Sequence, residues 1–271
     1  LVHSCDRYAF LYPGFAHFFR KHWDFSIPCN LYFATEELTA DIEGFTNIQS
    51  GKGQWTDRLR SILTNDIQEE YVLYLQEDMW FNKEVSASFF TQLFEQAVGN
   101  RWQQVKLHSS EVYTTHPTEN FIDGFNISLI DNKLSGYLMS HQVTLWNKDF
   151  LRAQLPPDEH PWRNERKGTK RLRKLSPVIY HADYFAENGK GEINQNVHPL
   201  QRSEYQAISA NGMLNNNIQP FIQELEADGK MSDYAAQLGH HYATALTHDG
   251  KEKPRKVDLF KRLKNWITNK G

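Results

Sequence analysis

The chain has 271 residues, enough to bury a sizeable core in one large domain. Its 39% hydrophobic and 13% aromatic content fits a folded protein whose rings serve mainly in core packing. A net charge of −3 gives no global basicity, and no nucleic-acid partner is expected. No apolar run reaches the roughly 18 residues needed to span a bilayer. "LVHSCDRYAF" lacks the layout of a signal peptide, and only Cys5 and Cys29 are present, so the expected location is the cytoplasm.

The charge is unevenly spread. Residues 163–174, "RNERKGTKRLRK", carry seven Lys or Arg against one Glu, and residues 251–271 carry eight against two acids. Two basic islands on an acidic body point to an anionic ligand at one and an anionic surface at the other, or simply to solvated faces.

In chain order, "LVHSCD" reads as a short strand, and "PGFAHFFRKHW" as a helix opened by Pro13, with Phe15, Phe18, Phe19, His22 and Trp23 at helical spacing. "CNLYFATEE" is a second strand. A polar, Gly-containing loop then leads to "QWTDRLRSILTNDI", a helix with Trp55, Leu59, Ile62 and Leu63 on one face. "YVLYLQED" is the third strand and "SASFFTQLFEQAV" another helix, after which the middle of the chain breaks into shorter strands and loops. "NKDFLRAQL" is a helix stopped by Pro156 and Pro157; the basic segment follows, and "PVIYHADYF" returns as a strand. From about residue 211 the chain turns Asn-rich and then helical. It ends in "VDLFKRLKNWITNK", a basic amphipathic helix suited either to an anionic membrane surface or to docking on its own domain.

Strands alternating with helices predict a mainly parallel sheet covered on both faces, with ligands at the carboxyl ends of its strands. The polar residues there are Ser4 and Asp6, Thr35 and Glu36, and Glu77 and Asp78, which should converge on one crevice. Paired carboxylates in such a crevice suit a nucleotide diphosphate, by holding a divalent cation or by accepting ribose hydroxyl hydrogen bonds. Asp57 and Arg58 open the second helix, where backbone N–H groups favour phosphate; an internal ion pair is the alternative. His141 and Gln142 are candidates to bond sugar hydroxyls, with Trp146 or Trp162 stacking on a pyranose face. Glu165 sits alone among bases, either as a proton acceptor or as a helical ion-pair partner, with Asp158 and Glu159 as near rivals.

The ordered set "HSCDRY…PGF", "GQWTDRLRSIL", "YVLYLQEDMWF", "SHQVTLWNKDFL" and "HPWRNE" resembles bacterial glycosyltransferases of the GT-A fold. These are found among enzymes that build surface polysaccharides such as lipopolysaccharide, and the resemblance covers roughly residues 1–205. It implies an α/β, GT-A-like domain over residues 1–210 with a mixed, mainly parallel sheet flanked by helices, followed by a C-terminal helical extension over 211–271. By position it implies that Asp6 and Thr35 lie near the donor's base, Asp78 near the ribose or a metal, and Arg163 and Arg166 near the diphosphate. Glu165 is implied as the general base of an inverting transfer to a glycan or lipid-linked glycan. The family's Asp-X-Asp element departs here to Gln76-Glu77-Asp78, so no tightly bound cofactor is implied beyond Mg2+ or Mn2+ at Asp78. A lipid-linked acceptor would place the basic tail, residues 251–271, peripherally on the inner face of the membrane. Two other readings stand beside this one. One is a metal-dependent phosphoesterase using His3, Asp6, Asp78, His108, His141 or His181, although no HExxH or clustered Cys/His spacing occurs. The other is a non-catalytic membrane-surface adaptor.

Overall fold

A computed structural model describes residues 1–190 and 202–252. The basic helix expected over residues 257–270 lies outside the described residues. The first part of the chain alternates as its periodicity predicts: β1 (Val2–His3), α1 (Tyr12–His22), β2 (Tyr32–Thr35), β3 (Thr46–Gln49), α2 (Trp55–Asn65) and β4 (Tyr71–Tyr74). After β4 come β5 (Met79–Phe81), α3 (Ala87–Gly99), β6 (Gln104–His108), and a hairpin of β7 (Thr115–Ile122) and β8 (Phe125–Ile130). Then follow β9 (Thr144–Asn147), α4 (Lys148–Ala153), α5 (Pro161–Leu175), β10 (Tyr180–Glu187), β11 (Ser203–Ala207), α6 (Gln219–Asp228) and α7 (Ser232–Thr244).

The strands lie in the order β3-β2-β1 and β4-β9-β6-β10-β11-β5. The two groups meet where His3 N donates to Leu75 O at 3.1 Å and Leu75 N donates to Leu1 O at 2.9 Å, which places β4 parallel beside β1. β9 runs antiparallel between β4 and β6, and β5 antiparallel against β11. The rest of that path is parallel, so the sheet is the mixed, mainly parallel one expected.

Helices cover both faces because strand side chains alternate. Along β4 and the residue that follows it, Leu75 enters one core with Phe15, Phe18, Trp80, Phe90 and Tyr184, while Val72 and Tyr74 enter the other with Leu59, Ile62, Trp146 and Leu172. Phe221 and Leu225 of α6 and Leu238 of α7 join the first of these cores.

One segment differs from its expected form, and the basic segment takes the helical form that the ion-pair reading of Glu165 assumed. The polar loop expected before α2 contains β3, an edge strand whose "TNIQ" buries only Ile48, so it lacks the apolar run that marks a strand. The basic segment is helical, α5, and buries Asn164, Gly168 and Leu172 at four-residue spacing. With Asn and Gly in that stripe the usual apolar signature is missing.

Close approach explains one helical glycine. A β-carbon at Gly14 would lie 2.0 Å from the Trp80 indole, which is fully buried and packed against Phe18 and Phe221. Alanine at a helix interior normally gains about 0.5–1 kcal/mol over glycine, but overpacking a filled core costs about 1–3 kcal/mol. The clash wins, and Gly14→Ala is expected to lower the urea-denaturation midpoint; an unchanged or raised midpoint would show that Trp80 has room to move.

Candidate functional site

The connections leaving β1 go one way, to β2 and β3, while β4 lies on the other side of β1. The loops that follow β1 and β4 leave the sheet at this switch point, the place where sheets of this kind usually take a ligand. β1 delivers Ser4, Cys5 and Asp6. β4 delivers Gln76, Glu77 and Asp78 in a turn closed by Met79 N donating to Gln76 O at 3.2 Å.

Several expected donor contacts build the crevice instead of lining it. Asp6 Oδ1 accepts from Glu36 N at 2.9 Å, and its Oδ2 accepts from Glu37 N at 2.9 Å and Leu38 N at 3.1 Å; Asp6 N in turn donates to Glu36 Oε2 at 3.1 Å. Thr35 is fully buried, and its hydroxyl donates to Leu38 O at 2.5 Å, which leaves it no access to a base. Ser4 is buried against Tyr12, its Oγ 3.1 Å from the phenol oxygen. Arg58, 4% exposed, donates to Ser4 O at 2.6 Å and Ser50 Oγ at 2.9 Å and pairs with Glu36 at 3.4 Å. Asp57 pairs with Arg60 and accepts from Asp158 N at 3.2 Å. The internal-bonding alternative therefore describes both Asp57 and Arg58.

The two adjacent acids divide by exposure. Glu77 is 5% exposed, and Asp78 is half-buried. Burial, then the charge of Asp78, pushes the Glu77 carboxyl well above the usual range, and burial likewise raises Asp78. Among the described residues the Asp78 side chain accepts no hydrogen bond from another residue.

Glu165 reaches the same region from α5. Its Oε1 accepts from His141 N at 3.0 Å, and burial raises its pKa against the opposing pull of that N–H and of Lys106. Residues 138–141 are clamped from two sides. From β6, Gln104 donates to Leu138 O at 3.1 Å and Lys106 Nζ to Ser140 Oγ at 2.7 Å. From α5, Thr169 Oγ1 accepts from Met139 N at 3.3 Å, beside the His141–Glu165 bond. Gln142 Oε1 accepts from Tyr205 at 2.7 Å. The His141 ring lies 6.0 Å from that of Tyr74, and burial, then the charges of Glu77, Glu165 and Asp78, raise the Tyr74 pKa. Tyr205 also feels Asp78.

The remaining candidates separate. Trp146, 1% exposed, packs with Phe150 in the second core, so the stacking role expected of it is corrected: no ring face is available. Trp162 is 64% exposed on the first turn of α5. Arg163 and Arg166 line a groove with Gly136 and Tyr137 that contains none of the strand-end residues, so they stand apart from Asp78. The histidines do not form one cluster. His3 and His141 pack around Trp55 and Tyr74, while His108 and His181 bond within the buried face of β6 and β10. Among the described residues no group of three or more His, Cys, Asp or Glu is arranged to hold a metal ion.

Sequence reasoning passed over Tyr74, Lys106 and Tyr205. Lys106 left a signal: a lysine inside "QVKLH", where alternation places it beside two other polar residues on one strand face.

Glu77 supplies a test by linkage. With its native pKa above the unfolded value, the folded state binds the proton more tightly, so stability falls as pH rises from the ordinary glutamate range through the native pKa. Glu77→Gln removes that loss, and its melting temperature relative to wild type is expected to be higher at pH 8 than at pH 5. An offset independent of pH would contradict the assignment.

No family profile and no curated protein sequence matches the chain. Among solved structures, a crystal structure of S. aureus TarS residues 1–349 shares 10% identity at a TM-score of 0.43, covering 99% of this chain and 78% of that one. A second S. aureus TarS crystal structure shares 11% identity at a TM-score of 0.42; the match covers 89% of this chain but only 43% of that longer one. Likenesses this distant assign neither an activity nor a site residue.

Proposed function

We propose that the protein is a glycosyltransferase that moves a sugar from a nucleotide-sugar donor to a glycan or lipid-linked glycan, with inversion at the anomeric carbon. The observation that supports this most is a chain of contacts at the sheet's switch point: Glu165 accepts from His141 N at 3.0 Å, the His141 ring lies 6.0 Å from that of Tyr74, and Tyr74 ends the strand that leads into the turn carrying Asp78. In this reading Asp78 accepts hydrogen bonds from the donor's ribose, and Gln142, fixed by Tyr205, faces the sugar.

Glu165 serves as the base. Its Oε1 is occupied by the His141 N–H, which leaves Oε2 for the acceptor hydroxyl. As that oxygen attacks the anomeric carbon, its proton passes to Oε2, and the bond to the nucleoside diphosphate breaks with its electrons on the departing phosphate oxygen. The upward shift of the Glu165 pKa brings its basicity closer to neutral pH, where proton transfer is most effective. A divalent cation, Mg2+ or Mn2+, would be held by Asp78 and would supply charge neutralisation for the leaving diphosphate. With Gln76 beside it, Asp78 is the one accessible carboxylate of that turn, which suits a cation held largely by the donor's own phosphates.

The test is a thermal-shift panel of UDP-, GDP-, CMP- and dTDP-sugars, with and without Mn2+, since a ligand that binds the native state stabilises it. One class is expected to raise the melting temperature of the wild type, and Asp78→Asn to abolish that rise. Glu165→Gln should keep the rise while turnover falls by roughly 10²- to 10⁴-fold, the usual contribution of a positioned base. An active Glu165→Gln removes it as base, and a panel with no stabilising nucleotide sugar overturns the transferase reading.

A further inference from the structure

The groove beside α5, about 690 Å³, is walled on one side by the helix and on the other by the loop at Gly136 and Tyr137. Arg163, Arg166, Lys167, Lys170 and Arg173 line it, and Glu165, at its edge, is the sole carboxylate among its lining residues. Arg163, Arg166 and Lys170 form no ion pair among the described residues. Like charges three and four residues apart on a helix repel one another, and the rest of this chain is acidic, so general basicity does not explain the cluster.

The opposite wall is built, not slack. Ser135 Oγ donates to Thr114 O at 3.0 Å, Gly136 N donates to Val112 O at 2.9 Å, and Arg173 donates to Ser135 O at 2.8 Å. Tyr137 sits in the left-handed region, at φ 44°, with 52% of its surface exposed. A tyrosine held in that strained conformation and half exposed along a cationic groove is available to contact whatever lies there. Glu165 joins this groove to the crevice, because it lines the one and bonds His141 at the other.

We infer that this groove binds a linear polyanionic glycan, one carrying phosphate or other acidic groups along its length, and that this glycan is the acceptor. The cations meet the repeated charges, Tyr137 meets a sugar face, and the chain end reaches Glu165. The acceptor role rests on the transferase reading above; the binding of a polyanion does not.

The experiment is a binding titration of the full chain with fluorescein-labelled dextran sulfate. Neutral dextran, oligothymidylate of matched charge, and phosphatidylserine vesicles serve as comparisons. Dextran sulfate is expected to bind, neutral dextran not to, and affinity to fall roughly ten- to hundredfold between about 50 and 200 mM salt if three to five charges are neutralised. Arg166→Glu with Lys170→Glu should weaken dextran sulfate binding at least tenfold while leaving nucleotide-sugar stabilisation unchanged, and Tyr137→Ala should weaken it severalfold. Unaltered binding by the double variant overturns the groove as the site. Equal or tighter binding of oligothymidylate, or binding carried by vesicles alone, overturns the glycan assignment in favour of nucleic acid or membrane. Failure of dextran sulfate to bind a protein that is stabilised by a nucleotide sugar sinks this inference alone; failure of every nucleotide sugar removes the acceptor role together with the transferase reading.

Discussion

One buried guanidinium fixes the loops at the switch point. Arg58 reaches from α2 to the carbonyl of Ser4 after β1, to Ser50 after β3, and to Glu36 after β2, so a single side chain ties together the loops of three neighbouring strands. Asp6 completes the brace by accepting three backbone N–H groups from the loop after β2. Hydrogen bonds of this kind, with one charged partner, are worth about 1.5–3 kcal/mol each. Their collective effect here is geometric: they fix the loops after β1, β2 and β3 relative to one another.

That rigidity lets the neighbouring acids be expensive. Glu77 and Asp78 are both pushed up by burial, and Glu165 is raised by the same cause despite a hydrogen bond and a nearby lysine. Carboxylates raised in this way weaken the folded state at neutral pH, which is the pattern expected where a site is arranged for a ligand or a proton and not for stability alone. Lys106 is the counterpart on the other side. Buried in the sheet and lowered to about 7 by that burial, it bonds Ser140 and feels Glu165, so the clamp at residues 138–141 carries charge as well as shape.

Much of this was legible in the sequence because hydrophobic period follows burial. The strand in "YVLYLQED", the helices at Tyr12, Trp55 and Ala87, and the convergence of polar strand ends all came from alternation and helical spacing. The residues at fault were those whose partners are remote. Nothing local distinguishes Asp6, which caps a loop thirty residues away, from an acid that meets a ligand, and nothing in "TLWN" shows that Trp146 packs inward against Phe150. α5 lacks an apolar signature for a related reason: its buried stripe is Asn164, Gly168 and Leu172, and the glycine is required because Met139 leaves less than 3 Å for a β-carbon.

The central claim is that the β1–β4 switch point is a nucleotide-sugar site with Asp78 as its accessible carboxylate. The most direct measurement is diffraction from crystals soaked with the nucleoside diphosphate of the donor. The account predicts nucleotide density across the ends of β1 and β4, with the ribose within hydrogen-bonding reach of Asp78. Nucleotide density confined to another surface, such as the groove along α5, would contradict it.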